Sequence, residues 1–262
     1  MRKIPRSSLI VRALLLLPFM AVPLGAQAEY CADAPWKSLG EAHGRARLPE
    51  LIEDHWTRCQ PLPGQRHRAV VALVYPSAGV AVPANPGDPL AGYEADLYLV
   101  DTAAGRVLDR QQRRRPPQAD GSALTGVEVD TGTPALAPKV PSVALRLQHA
   151  GPSPERLDSI ELLTLHAVQG DTLRPVLEDL PAWTLRGAWD TRCAGEFTET
   201  RTVLKTGSGR SRGLVDLVAH TVEDRRTTRQ QGEECVDRKA APVSRRQTLR
   251  HDGRAYVAPA AR

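Results

Sequence analysis

The sequence predicts a mainly β protein: an antiparallel meander closed as a sandwich or an open barrel, with a propeller-like stack as the second architecture and a short, disulfide-tied helical cap at the N-terminus. Three observations lead there. Glycine and proline number 20 and 22, so turns cut the chain into short pieces. Strand-period runs rich in Val, Leu and Thr recur between those turns, and helical periodicity is strong in one segment alone. Four cysteines, an even number, suit an exported domain held by disulfides. With 41% hydrophobic and 25% charged residues among 262, the chain has the apolar surface for a real core and is neither disordered nor fibrous.

The first 28 residues stand apart. Arg2, Lys3, Arg6 and Arg12 form a basic n-region, residues 13–22 an apolar stretch, and Gly25-Ala26-Gln27-Ala28 the small-residue pattern of a cleavage site. Residues 1–28 are therefore expected to be a signal peptide cut between Ala28 and Glu29, leaving a soluble periplasmic protein. The apolar run is too short to cross a bilayer, and no later stretch approaches 18 apolar residues, so no membrane span is expected after cleavage.

Residues 29–64 are expected to form the cap. Leu48, Leu51, Ile52, Trp56 and Cys59 recur at three- and four-residue spacing, with Pro49 near the start and Pro61 and Pro63 beyond the end, which predicts an amphipathic helix. Of the three connectivities four cysteines allow, Cys31 with Cys59 and Cys193 with Cys235 is favoured, because each pair brackets one compact segment.

The β domain is expected over residues 65–262, with a sub-boundary near 187–191. Strand patterns run over 69–75, 94–101, 106–112, 124–130, 143–149, 160–168, 172–177, 197–205, 213–223, 244–250 and 254–257. Thr102-Ala103-Ala104-Gly105 and Gln169-Gly170-Asp171 read as hairpin turns, and residues 76–92 as a long Pro/Gly-rich loop. The two hairpins share a loose pattern about 65 residues apart, short of the repeats a propeller needs.

The basic surplus is local. Losing four of the 35 basic residues and none of the 30 acidic ones with the leader leaves the mature chain at +1. Residues 191–262 carry 15 basic and 9 acidic groups, so this third is at +6. Its Arg225, Arg226, Arg245 and Arg246 are the candidate anion or partner site, since guanidinium binds carboxylate and phosphate in a fork. Arg113-Arg114-Arg115, beside Pro116-Pro117, reads as a wet loop. The arginines lack interleaved aromatic residues, so nucleic acid is not an expected partner.

Catalytic signals are weak. Gly209-Arg210-Ser211-Arg212-Gly213 has the letters of a nucleophile elbow, but a strand pattern follows where a helix is required. Histidines 43, 55, 67, 149, 166, 220 and 251 are scattered, and adjacent carboxylates such as Glu223-Asp224 point to opposite faces of a strand. Metal-ligand spacing and nucleotide fingerprints are missing, so no cofactor and no metal are expected. Trp183 and Trp189 flank a Gly-containing joint, where a sugar-stacking platform is the functional alternative to ordinary core packing.

The stretch Gly187-Ala188-Trp189-Asp190-Thr191-Arg192-Cys193-Ala194-Gly195-Glu196-Phe197-Thr198-Glu199-Thr200-Arg201, with the later cysteine and Arg250-His251-Asp252-Gly253-Arg254-Ala255-Tyr256, resembles uncharacterised exported proteins of Gram-negative bacteria. The resemblance covers mainly the C-terminal third and implies the periplasm but no activity. The expected function is binding of another macromolecule without chemistry of its own, in an immunity-like or envelope-assembly role, with an anionic protein or envelope component as partner. A secreted hydrolase with a loop-built site is the alternative.

Overall fold

The computed structural model describes residues 38, 39, 41, 56–81, 84, 85, 88–153 and 155–258. Their strands are all antiparallel and form two sheets. The smaller runs in sequence order through β1 (Thr57–Pro61), β2 (Arg68–Pro76), β3 (Tyr93–Asp101) and β4 (Arg106–Arg115). The larger begins with β5 (Ala123–Asp130), β6 (Ser142–Ala150), β7 (Arg156–Gln169) and β8 (Thr172–Trp189). It continues with β9 (Gly195–Ser211) and β10 (Leu214–Gln231), then β12 (Val243–His251) and β13 (Tyr256–Val257), while β11 (Glu234–Lys239) pairs with the far end of β10. Strands form continuous sheets rather than radial blades, so the propeller alternative is wrong. The two predicted hairpins lie where expected, and Gly105 and Gly170 take the positive φ (62° and 59°) that their tight turns demand.

Three layers result from the alternation of side chains along each strand. Val70, Ala72, Val74, Leu97 and Leu99 of the small sheet pack on Val143, Leu145 and Leu147 of β6. The opposite face of β2 and β3, with Ala69, Val71, Leu73, Tyr98 and Val100, is closed by Leu39 and Cys59. Because β2 is buried on both faces, its sequence is an unbroken apolar run and not an alternating one.

The second core arises from a fork in the large sheet. β8 pairs with β9 only where Trp183–Trp189 meets Gly195–Arg201, and beyond Arg201 β9 pairs with β10 alone. The freed part of β9, with β10 and β12, lies over the other face of β6–β8, where Leu204, Leu217, Ala219 and Leu249 meet Ala144, Leu163, Leu165 and Ala167. The loop between β5 and β6 plugs one end: Leu136 is fully buried, and its carbonyl accepts the Val215 N–H at 2.8 Å. Pro175 and Pro181 are tolerated inside β8 beside breaks in its register with β7.

Three expectations need correction. Residues 57–61 are a strand, where a helix was expected to continue to Cys59; an apolar strand buried on both faces needs a hydrogen-bonded neighbour on each edge, and Thr57–Pro61 supplies one for β2. The remainder of the expected helix, 48–55, lies outside the described residues. β8, β9 and β10 reach 18, 17 and 18 residues, far beyond the predicted segments, and β11 has no apolar pattern at all. Ladder pairing extends them where both faces meet water, so alternation is lost. Among the described residues, no helix is long and apolar enough to cross a membrane.

The expected Cys193–Cys235 disulfide is present, with Cα atoms 5.5 Å apart. Cys59 is also disulfide-bonded; Cys31, its expected partner, lies outside the described residues, as do Ala28 and Glu29.

Candidate functional site

The far ends of β8, β9, β10 and β11 form an arm whose side chains are half-buried or exposed on both faces. Its tip is rigid: Asp190 Oδ1 accepts the N–H groups of Arg192, Cys193 and Ala194 at 2.8–2.9 Å, and the disulfide fastens this turn to β11. These N–H donors hold the Asp190 carboxyl below the ordinary carboxylate range.

The structure does not gather the four candidate arginines into one patch. Neighbours on a strand point to opposite faces, so Arg225 and Arg245 share one face and Arg226 and Arg246 share the other. Arg245 stands opposite Thr221, four residues along β10 from Arg225, an offset of about 13 Å. Arg225 and Arg245 are therefore not cross-strand neighbours. β11 occupies the β10 edge at 226–231, so β12 can begin pairing only at Glu223. Two of the arginines are already engaged. Arg225 Nε donates to Glu223 Oε1 at 2.8 Å, while Arg226 stacks 4.8 Å from the Phe197 ring centre and lies 3.6 Å from Asp237. Arg245 and Arg246 have no ion pair with a described acid and are exposed.

They flank an open edge. β13 pairs with β12 only at Arg250 and His251, so residues 243–249 carry no strand on that side among the described residues. Val243, at the start of this edge, is 62% exposed.

Arg113-Arg114-Arg115 is not a loop but the end of β4. Arg113 Nη1 donates to Thr164 Oγ1 of β7 at 2.6 Å, and the same guanidinium pairs with Asp179 of β8, which ties the two sheets together. Arg114 Nε donates to Glu94 Oε1 at 2.9 Å.

Ser211 closes β9, Arg212 and Gly213 make the turn at φ 52° and 86°, and β10 follows directly. Among the described residues, no helix N-terminus faces the hydroxyl. Its Oγ donates to Asp216 Oδ1 at 2.6 Å, and Asp216 is buried beside a break in the β9–β10 register. Ser211 thus satisfies a buried carboxylate. Ser211→Ala is expected to cost about 1–3 kcal/mol by leaving that oxygen unmet. Urea denaturation measures this; loss of an esterase activity at unchanged stability is the opposite outcome.

No described histidine is hydrogen-bonded to a serine, threonine or cysteine. His149 and His166 are buried between the sheets, and burial pushes each down to about 4, with Arg115 adding to the effect at His149 and Arg113 at His166. His149 Nε2 shares a hydrogen bond with the Tyr93 hydroxyl at 2.8 Å. His220 is half-buried opposite Val203 and Arg246. Among the described residues, no three His, Cys, Asp or Glu side chains converge as metal ligands.

A cleft of about 470 Å³ opens in the crotch of the fork. Leu163, Leu165 and Ala182 make its floor, and Leu204 and Leu217 its roof. Its polar wall carries the Arg146–Glu161 ion pair at 2.6 Å and Arg201, whose partner Glu199, 2.5 Å away, stands behind the lining. Glu199 Oε1 also accepts the Trp183 Nε1–H at 2.6 Å, which fixes the indole against its cross-strand neighbour Arg201. Of these residues only Trp183 stood out in the sequence. The others come from five strands spread over about 70 residues, and nothing local marks them.

No family model, curated protein or solved structure matches this chain.

Proposed function

We propose that this protein is an exported, periplasmic binding protein without chemistry of its own, and that its C-terminal sheet receives an anionic protein or envelope component in an immunity-like or envelope-assembly role. The observation that carries the reading is the open edge of β12 at 243–249, flanked on its two faces by Arg245 and Arg246, neither of them paired with a described acid. An unpaired edge presents a row of N–H and C=O groups that an extended segment completes by main-chain hydrogen bonds. Acidic side chains on alternate faces of such a segment meet one arginine each. The signal-like leader and the disulfide support export. The hydrolase alternative lacks support at the places where it needs it: Ser211 is bound to Asp216, and the fork cleft has no base beside a nucleophile among its described lining residues.

The test is a salt titration of the partner captured from periplasmic extract. Attraction between exposed charges is screened over about 8 Å at physiological ionic strength, so affinity is expected to fall as salt rises. Arg245→Glu with Arg246→Glu is expected to weaken binding about tenfold or more and to flatten the salt dependence, mainly through slower association. The same reversal at Arg225 and Arg226, whose charges are already engaged, has the smaller effect. Binding indifferent to salt and to both reversals overturns the reading; self-association of the Arg245→Glu/Arg246→Glu protein would then show that these arginines guard the edge.

A further inference from the structure

The fork cleft is a second binding site, and we infer that its ligand is an amphiphile: an apolar chain carrying an uncharged, hydroxylated headgroup. The floor and roof, Leu163, Leu165, Ala182, Leu204 and Leu217, offer only hydrocarbon, and about 470 Å³ is within the range of small-molecule sites. An alkyl chain leaves water there without stranding a polar atom.

The headgroup follows from the polar wall. Arg146 is held by Glu161 and Arg201 by Glu199, so the nearby charges cancel in pairs, and Asp130 at the rim leaves a slight negative excess. A charged headgroup must break one of these pairs or sit beside a like charge. Neither cost falls on a neutral one. What the wall does offer is a mixture of donors and acceptors. A guanidinium has five N–H donors and each of these two pairs uses only part of that fork, while Glu161 and the Thr202 hydroxyl accept. Hydroxyl groups, which both donate and accept, match such a wall.

Trp183 adds the last element. Its ring belongs to the cleft lining, and its only polar atom is spent on Glu199, so the indole is held in place with an apolar surface at the mouth. A flat apolar ring beside hydrogen-bonding groups suits the C–H face of a sugar ring better than a freely rotating polyol.

The experiment titrates the full mature protein with n-octyl β-glucoside below its micelle-forming concentration, followed by calorimetry and tryptophan fluorescence. Octanoate and octyltrimethylammonium, with comparable chains and charged heads, and free glucose are the comparison ligands. Octyl glucoside is expected to bind about tenfold tighter than either charged amphiphile, with glucose undetectable. Trp183→Phe is expected to abolish the fluorescence response and weaken binding about tenfold. Ala182→Phe fills the floor and is expected to abolish binding. Val203→Trp, at a position on the lip that is 53% exposed, is expected to narrow the mouth and weaken binding at an unchanged melting temperature. Octanoate binding as tightly as octyl glucoside, or octyl glucoside affinity unaltered in both Trp183→Phe and Val203→Trp, overturns the inference.

Discussion

The stability of the folded chain is expected to drop by about 6 kcal/mol as the pH falls from about 6.5 to about 4, because His149 and His166 are held neutral between the two sheets. In the unfolded chain each imidazole takes up a proton near its ordinary value of about 6.5. In the folded chain each resists until about 4. Between those values the unfolded state binds more protons, so stability is full above the upper limit and is lost on the way down. A depression of about 2.5 pH units corresponds to about 3 kcal/mol per histidine. Arg113 and Arg115 reinforce the neutral form, and Asp179 opposes them at His149. Urea denaturation at pH 7 and pH 4.5 measures the change. Replacing His166 by Gln removes one of the two strongly depressed groups, beside His251, which burial also lowers, and is expected to reduce the slope by somewhat under half; an unaltered slope in that variant would assign the acid sensitivity elsewhere. The carboxyls of Asp120, Asp190 and Asp252, lowered by backbone N–H donors, respond only below this window.

Removing the arm's staple is the next largest change. In the double variant Cys193→Ser/Cys235→Ser, the unfolded chain regains the freedom of a 42-residue separation, which the loop-entropy relation values at about 4 kcal/mol. For a chain of this size that corresponds to a melting temperature lower by about 10 °C. The first region to respond should be the arm, since residues 224–239 bury little apolar surface and rely on the β10–β11 ladder. Amide exchange at 226–239 is therefore expected to accelerate, while 217–221, over the second core, stays protected. Unchanged melting together with a protected arm would show that the ladder alone is sufficient.

Amide exchange in the arm also bears on binding. Arg226, Phe197 and the disulfide brace the arm beside the start of β12, so a loosened arm would present the open edge less rigidly. Pre-ordered binding surfaces lose less freedom on association.

What could be read in the sequence depended on how each segment is solvated. The runs at 69–75, 94–101 and 143–149 are visible because their side chains enter cores, and hairpin turns are visible because Gly105 and Gly170 are required by local backbone geometry. The Cys193–Cys235 pairing was legible as well, because the two residues bracket one consecutive antiparallel unit. The polar extensions of β8, β9 and β10 were not, since a strand bathed on both faces carries no apolar alternation. Trp56 and Cys59 sit three apart, as on a helix, yet the edge of β2 drew the chain around them into a strand.

The sequence by itself determined the class of this protein: many antiparallel strands joined by tight turns, a charged C-terminal third and a signal-like leader, all encoded in local composition and period. Tertiary structure alone decided which groups meet. Arg245 and Arg246 were left without an ion pair to a described acid while Arg225 and Arg226 became engaged because of a register shared between β11 and β12 on one edge of β10. Arg113 became a clamp between sheets because β4 continues to Arg115, the residue before Pro116, and brings Arg113 to Thr164 and Asp179, 51 and 66 residues away in the chain. The cleft of Trp183, Arg146 and Leu217 exists only because β9 parts from β8 after Arg201. Local pattern reports a residue's exposure to water, whereas register and sheet divergence depend on contacts between distant strands, which no window of sequence contains.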